Sequence, residues 1–241
     1  MDMIKVQNYH EMSMKAAQIV IDSLKNKQIN VLGFATGGTP EGFYKYFVQN
    51  LKQEQLSLKD LHTVNLDEYI GLSENNPNSY HHYMEKHLFQ FLNLKKDQTH
   101  LPNGNAENIT GECKRYEQLI QDLGGINLQL LGVGSNGHIG FNEPGSSFHG
   151  RTQVVDLAPS TIEANARYFT DEKDVPNKAI TMGIQTIMES KSILLLASGA
   201  EKAEAIYQLM HGAVNDKFPV TILQKHPSLI IIADQEARSL L

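Results

Sequence analysis

Residues 130–147 read LLGVGSNGHIGFNEPGSS, a stretch in which Asn136, His138, Asn142 and Glu143 gather side chains able to hold and move protons. A histidine changes charge near neutral pH, and a neighbouring carboxylate orients and tunes it. The same stretch sets Gly132, Gly134 and Gly137 in the spacing G-x-G-x-x-G, directly after the apolar run Ile126 to Leu131. Dinucleotide-binding turns share that spacing, but they need a helix opening at the third glycine and an acidic residue about 20 positions later. Asp156, at the end of QVVD, stands at a suitable distance, whereas Gly140, Pro144, Gly145 and Gly150 interrupt every turn a helix would need. With no helix N-terminus to receive a pyrophosphate, the loop reads as a place for proton transfer. The plainer alternative makes Asn136 and Asn142 turn residues and His138 a hydrogen-bonded structural group. So many polar groups at one strand's carboxyl end favour chemistry.

Other strand ends carry complementary groups. After INVLGFA comes TGGTPEGFYKYF, where Gly37 and Gly38 let the backbone approach a ligand. Thr39 suits an N-cap, Pro40 the first helical position, and Phe43 with Phe47 the buried face of the helix that follows. This is a helix start offered to an anion, without the G-K-[ST] of a nucleotide P-loop; an ordinary tight turn is the competing reading. After SILLLA comes SGAEKAEAIYQLM, with Lys202 in the first helical turn. A cation there opposes the helix dipole unless an anion sits between them, which makes Lys202 a phosphate-binding candidate. Arg167, in EANARYF, offers a forked pair of further donors. A last strand end, HTVNLDEYIGL, leaves two carboxylates, Asp67 and Glu68, where chemistry would occur; a turn-capping Asp is the common explanation, but the glycine-rich anion turns at neighbouring strand ends favour one of the two facing substrate as a general base. His81 and Glu85 in HHYMEKH are four apart on a helix, but no HExxH or Cys/His set accompanies them, so no metal site is expected.

The elements that must position these groups alternate. Helical periodicity covers 11–26, 40–52, 79–92, 107–122, a segment around 160–167 and 200–211. Strand-type runs cover 29–35, 62–66, 126–131, 153–157, 192–197 and 229–233. Such alternation predicts an α/β fold of Rossmann type, a doubly wound and mostly parallel sheet with helices on both faces and ligands beyond the carboxyl ends of its strands. No linker or repeat divides the chain, so residues 1–241 read as one domain.

Composition bounds the partners. An apolar fraction of 41% and a charged fraction of 20% are those of an ordinary globular protein. The net charge of −6, with no basic cluster, argues against nucleic acid, so an anionic substrate must find local cations. No apolar run reaches the length needed to cross a bilayer, and MDMIKVQNYHEM lacks the pattern of a signal peptide; a cytoplasmic location is expected. Cys113 is the single cysteine and reads as a half-buried, inert thiol.

Taken together, TGGTP, NLDEYIGL, SYHHYM, GVGSNGHIGFNEPGSSFHGRT, ARYF, SGAEKA and LQKHP stand in the order found in glucosamine-6-phosphate deaminases, and the chain resembles that family over essentially its whole length. The resemblance implies conversion of glucosamine 6-phosphate to fructose 6-phosphate and ammonia, without metal or organic cofactor. By motif, it makes Asp67 the base that moves a proton from C2 to C1, and His138 with Glu143 behind it the pair that opens the pyranose ring. Phosphate is then expected among Gly37, Gly38, Thr39, Arg167 and Lys202. One departure concerns Asn136, where other members carry Asp; the imidazolium loses a negative neighbour and ring opening leans more on Glu143. In one branch, N-acetylglucosamine 6-phosphate activates through basic side chains ten and twelve positions after the residue matching Glu143. Gln153 and Val155 stand there, which implies a short, non-allosteric enzyme, a monomer or weak homo-oligomer. Two rivals remain: a 6-phosphogluconolactonase, which has no use for LDEYIGL, and a non-catalytic sugar-phosphate sensor, which needs an output surface.

Overall fold

The computed structural model describes residues 1–158, 162–163, 169 and 175–241. Its strands are β1 (Asp2–Lys5), β2 (Val31–Phe34), β3 (His62–Asn65), β4 (Asp67–Tyr69), β5 (Thr99–His100), β6 (Leu128–Gly132), β7 (Gln153–Asp156), β8 (Lys178–Thr181), β9 (Ser192–Ala197) and β10 (Leu229–Ala233). Its α-helices are α1 (Tyr9–Lys25), α2 (Glu41–Glu54), α3 (Tyr80–His87), α4 (Ile109–Asp122), α5 (Ile184–Met188) and α6 (Ala203–His211). Among the described residues, β1-β10-β9-β6-β2-β3-β5 form a central sheet in that order, every pair parallel.

Both faces of that sheet are covered, which is why β9 (SILLLA) and β10 (LIIIA) are apolar without alternation. On one face Leu32, Phe34, Leu130 and Leu196 pack against Met12 and Val20 of α1 and Phe43 and Phe47 of α2. On the other, Leu131, Leu195 and Ile231 pack against Tyr116 and Ile120 of α4, Ile187 of α5 and Ile206 and Leu209 of α6. Each fully buried Leu or Ile contributes about 1.5–3 kcal/mol, so these two layers carry the fold. From β2 the chain runs outward through β3 and β5, whereas β6, β9 and β10 lie on the other side. The winding reverses between β2 and β6, and a crevice opens beyond their carboxyl ends.

Several boundaries differ from the sequence reading. The run 62–66 ends at Asn65; the chain leaves the main sheet at Leu66, and β4 joins β8 and β7 in a small antiparallel sheet. The helix read over 79–92 stops at His87, followed by a single 3₁₀ turn at Phe89–Phe91. The helix read from residue 200 begins as a 3₁₀ turn, Ala200–Lys202, before α6. Thr39 does not cap α2: Pro40 is the flanking residue, and neither side chain accepts from the first turn. Cys113 is buried outright, and burial raises its thiol above the usual range. The segment read as a helix around 160–167 lies outside the described residues but for Ile162 and Glu163. Among the described residues no helix is long and apolar enough to cross a membrane.

Candidate active site

The turns that follow β2 and β6 face each other across the crevice and enclose a cavity of about 510 Å³. Gly37, Gly38 and Thr39 line it from the β2 side, Asn136 and His138 from the β6 side, Lys202 from the turn after β9, and Asp67 from the start of β4. Seven residues that the family resemblance brings into the site thus share one pocket. Glu143 stands behind it, and Arg167 lies outside the described residues.

Two glycines of the β6 loop have a steric reason, and one of them makes room for the histidine. A Cβ on Gly134 would lie 2.2 Å from His138 Cε1, so the imidazole occupies the space that the missing side chain leaves. Gly137 has φ +82°, a conformation that L side chains rarely adopt, and a Cβ there would stand 2.9 Å from Phe218 Cδ1. The ring so placed is the end of a polar chain. Asn136 Nδ2 donates to Glu143 Oε2 at 2.7 Å, which turns Asn136 Oδ1 toward His138. That oxygen accepts from the His138 main-chain N–H at 3.1 Å and lies 2.8 Å from His138 Nδ1. An amide oxygen can only accept, so Nδ1 carries the proton and the neutral ring keeps its lone pair on Nε2. Glu143 Oε2 also lies 3.5 Å from Nδ1 directly, so the carboxylate acts on the ring both across space and through the amide. Asn142, grouped with these residues in the sequence, turns away: its Nδ2 donates to the carbonyls of Ile139 and Met182.

Strand alternation separates the two acids of LDEY. Asp67 faces the cavity, whereas Glu68 points the other way and accepts the main-chain N–H groups of Tyr69, Tyr80 and His81, each at 2.9 Å, together with His81 Nδ1 at 2.7 Å. Glu68 is therefore the acid that holds the first turn of α3, and His81 is its partner. Asp67 has no such compensation. Burial, reinforced by the charge of Glu68, pushes its carboxyl up to about 8. Gly140, at φ +56°, brings the histidine loop close to it: a Cβ there would stand 3.6 Å from Asp67 Oδ2.

The opposite wall suits an anion. Among the described residues, the amides of Gly37, Gly38 and Thr39 have no hydrogen-bond partner within the protein. Burial lowers the Lys202 ammonium below its ordinary range, with Glu201 opposing that shift. The turn carrying Lys202 is fixed by Asp234, which accepts from Ser198 Oγ at 2.5 Å and from the Gly199 N–H at 3.2 Å. An anion bridging this turn and the first turn of α2 would satisfy the free amides and the half-buried cation together.

The sequence reading missed Tyr9, Leu66, Tyr80, Phe141 and Ser198, all of which line the cavity. Tyr80 in SYHHYM, Leu66 in NLDEYIGL, Phe141 in GVGSNGHIGFNEPGSSFHGRT and Ser198 in SGAEKA stand within the quoted motifs but look like core or turn residues there, and Tyr9 lies outside them. His81 Nδ1 is engaged by Glu68 at 2.7 Å, and no group of three or more His, Cys, Asp or Glu side chains able to hold a metal occurs among the described residues.

The family model described as glucosamine-6-phosphate isomerases/6-phosphogluconolactonase matches residues 5–231. The chain is 54% identical to the glucosamine-6-phosphate deaminase of Geobacillus sp. (strain WCH70), over 100% of this chain and 96% of the relative. To glucosamine-6-phosphate deaminase 1 of Bacillus subtilis (strain 168) it is 51% identical, over 100% and 99%. Among solved structures, a monomeric glucosamine-6-phosphate deaminase superposes with a TM-score of 0.97 at 51% identity, each chain covered completely. The 6-phosphogluconolactonase of Trypanosoma brucei superposes with a TM-score of 0.77 at 18% identity, over 100% of this chain and 98% of the other, a likeness of fold. The chain belongs to the family of glucosamine-6-phosphate isomerases and 6-phosphogluconolactonases.

Proposed function

We propose that the protein converts glucosamine 6-phosphate and water to fructose 6-phosphate and ammonia. The observation that carries this reading is Asp67: a lone carboxyl facing the cavity, with its proton affinity raised to about 8, in the same pocket as His138 and an anion-binding wall. A lactone hydrolase has no proton to take from carbon; an aldose–ketose isomerisation does, and a base titrating near neutrality suits it. The names of the full-length relatives at about half identity point the same way.

The chemistry assigns the order of events. C2–H is acidic only when C1 is a carbonyl, so the ring opens first. His138 Nε2 accepts the proton of the C1 hydroxyl, and the same imidazole returns a proton to the ring oxygen as it leaves. Glu143, through Asn136, stabilises the imidazolium in between. Asp67 then takes the proton from C2, forming an enolamine, and delivers it to C1. C2 is left as an imine, to which water adds; ammonia departs and the ketone remains. The phosphate, held by the amides of Gly37, Gly38 and Thr39 and by Lys202, fixes the chain so that C1 and C2 meet Asp67. Arg167 joins this set by motif alone. The chain acts as a monomer, as the superposable relative is described, and as one domain.

The test is ammonia release from glucosamine 6-phosphate by the purified protein in a coupled assay, with 6-phosphogluconolactone as the second substrate. Ammonia without lactone hydrolysis is expected; lactone hydrolysis without ammonia overturns the proposal.

A further inference from the structure

The anion wall has a scaffold of its own. Three carbonyls of the turn after β2 are each captured by a tyrosine hydroxyl from a different helix. Tyr44 of α2 donates to Ala35 O, Tyr83 of α3 donates to Gly37 O at 2.7 Å, and Tyr9 of α1 donates to Gly38 O at 3.0 Å. Tyr9 is bound twice, because its oxygen also accepts the Gly42 N–H at 2.8 Å in the first turn of α2. Tyr83 is held in turn by His87, stacked on its ring at 4.3 Å between centroids. A trans peptide is planar and carries its C=O and N–H on opposite sides, and no cis bond occurs among the described residues. Fixing Gly37 O therefore fixes the Gly38 N–H in the opposite direction, and fixing Gly38 O does the same for Thr39. Those are two of the amides without a partner. Gly37, at φ +92° with nothing within 4 Å of where a Cβ would stand, would otherwise let the turn swing between peptide orientations.

We propose that Tyr83 and Tyr9 are positioning residues that hold the Gly37–Thr39 turn with its amides presented to the substrate's phosphate. The hydroxyls act on the turn's carbonyls, and so remove the cost of ordering the donors at the moment of binding. The proposal rests on the phosphate assignment made above, and it is tested by phosphate itself as well as by turnover.

The variants are Tyr83→Phe and Tyr9→Phe, which keep the ring and delete the clamp, with Tyr46→Phe as control, since its hydroxyl bonds His10 away from the turn. Inorganic phosphate affinity is measured by titration calorimetry on each protein, alongside steady-state kinetics. Each clamp variant is expected to weaken phosphate and raise KM about five- to tenfold, with kcat within about twofold; the control changes neither. Should Tyr83→Phe fail to fold by circular dichroism, Tyr9→Phe, at the pocket's rim, decides alone. Unchanged phosphate affinity in the folded variants overturns the proposal, as does a loss confined to kcat. If the wild type binds phosphate but releases no ammonia, the functional reading fails while the calorimetric comparison still judges the clamp.

Discussion

At the scale of single residues, Asp67 illustrates how a site can cost stability and gain function. Its carboxyl is pushed up to about 8 from an ordinary 3.8 because burial disfavours the charged form and Glu68 adds like charge. The folded protein holds this proton through a pH range in which the unfolded chain has released it. The associated stability is therefore complete below about pH 4 and is lost as pH rises through 8, by up to about 1.4 kcal/mol per pH unit. Asp67→Asn removes the titration: thermal melts of the variant should lose this slope and exceed the wild type most at pH 8, and parallel profiles would contradict the assignment. The same substitution should reduce turnover about 10²- to 10⁴-fold while leaving affinity for a phosphorylated sugar alcohol close to wild type, since an amide cannot take the C2 proton. Asn136 gives the second prediction. Replacing it by Asp puts a carboxylate where Oδ1 now lies 2.8 Å from His138 Nδ1, and beside Glu143 Oε2. The added negative charge favours the imidazolium, and ring opening needs the neutral ring to accept the C1 hydroxyl proton, so the acidic limb of the kcat profile should move to higher pH in Asn136→Asp. An unmoved limb would mean that the histidine's protonation does not govern it.

At the scale of elements, the loops after β2, β6 and β9 were legible because the residues that place them are types that backbone geometry demands. The long apolar strands and the punctuation by Gly and Pro gave the parallel sheet and the three strand ends. Their meeting in one crevice follows from the reversal of winding between β2 and β6, which no local pattern encodes. The residue pattern alone could not tell Asp67 from Glu68, and only the family resemblance chose between them, because which face of a three-residue strand meets the pocket depends on its pairing with β8, itself too short at Lys178–Thr181 to stand out. Short β1 and β5 escaped for the same reason. Nor did the spacing G-x-G-x-x-G reveal what its middle glycine is for. Gly134→Ala tests that directly: a Cβ 2.2 Å from His138 Cε1 must displace the ring, since the other side of the contact is main chain. The variant should keep its far-ultraviolet circular dichroism and its phosphate affinity while losing at least about tenfold in kcat. Full activity would show that His138 need not occupy the position seen.

At the scale of the whole molecule, the small sheet of β4, β8 and β7 is the route by which a distant ligand could reach the base. Asp67 pairs with Thr181, and Thr181 with Gln153, so one row of residues runs from the active site to the outer edge of β7. An effector phosphate bound at that edge would need cations there. Gln153 and Val155 supply none, and Val155 packs against the cluster of Tyr69, Phe141, Leu157 and Ala179. Among the described residues, the cations close by are already engaged: Lys178 with Asp156 at 3.0 Å, and Arg151 with Glu117 at 3.0 Å and Glu189 at 2.6 Å. A ligand shifts a conformational equilibrium only by its differential affinity for the two states, and without an anchor on β7 that difference vanishes. Kinetics in glucosamine 6-phosphate should therefore be hyperbolic. N-acetylglucosamine 6-phosphate should leave the curve's shape unchanged and act only as a weak competitor, because its phosphate suits the anion wall while its acylated nitrogen does not suit a site for a free amine. Initial rates across a range of substrate concentrations, with and without this compound, decide the matter: a sigmoidal curve that it straightens would place an effector site on this molecule despite the neutral edge of β7.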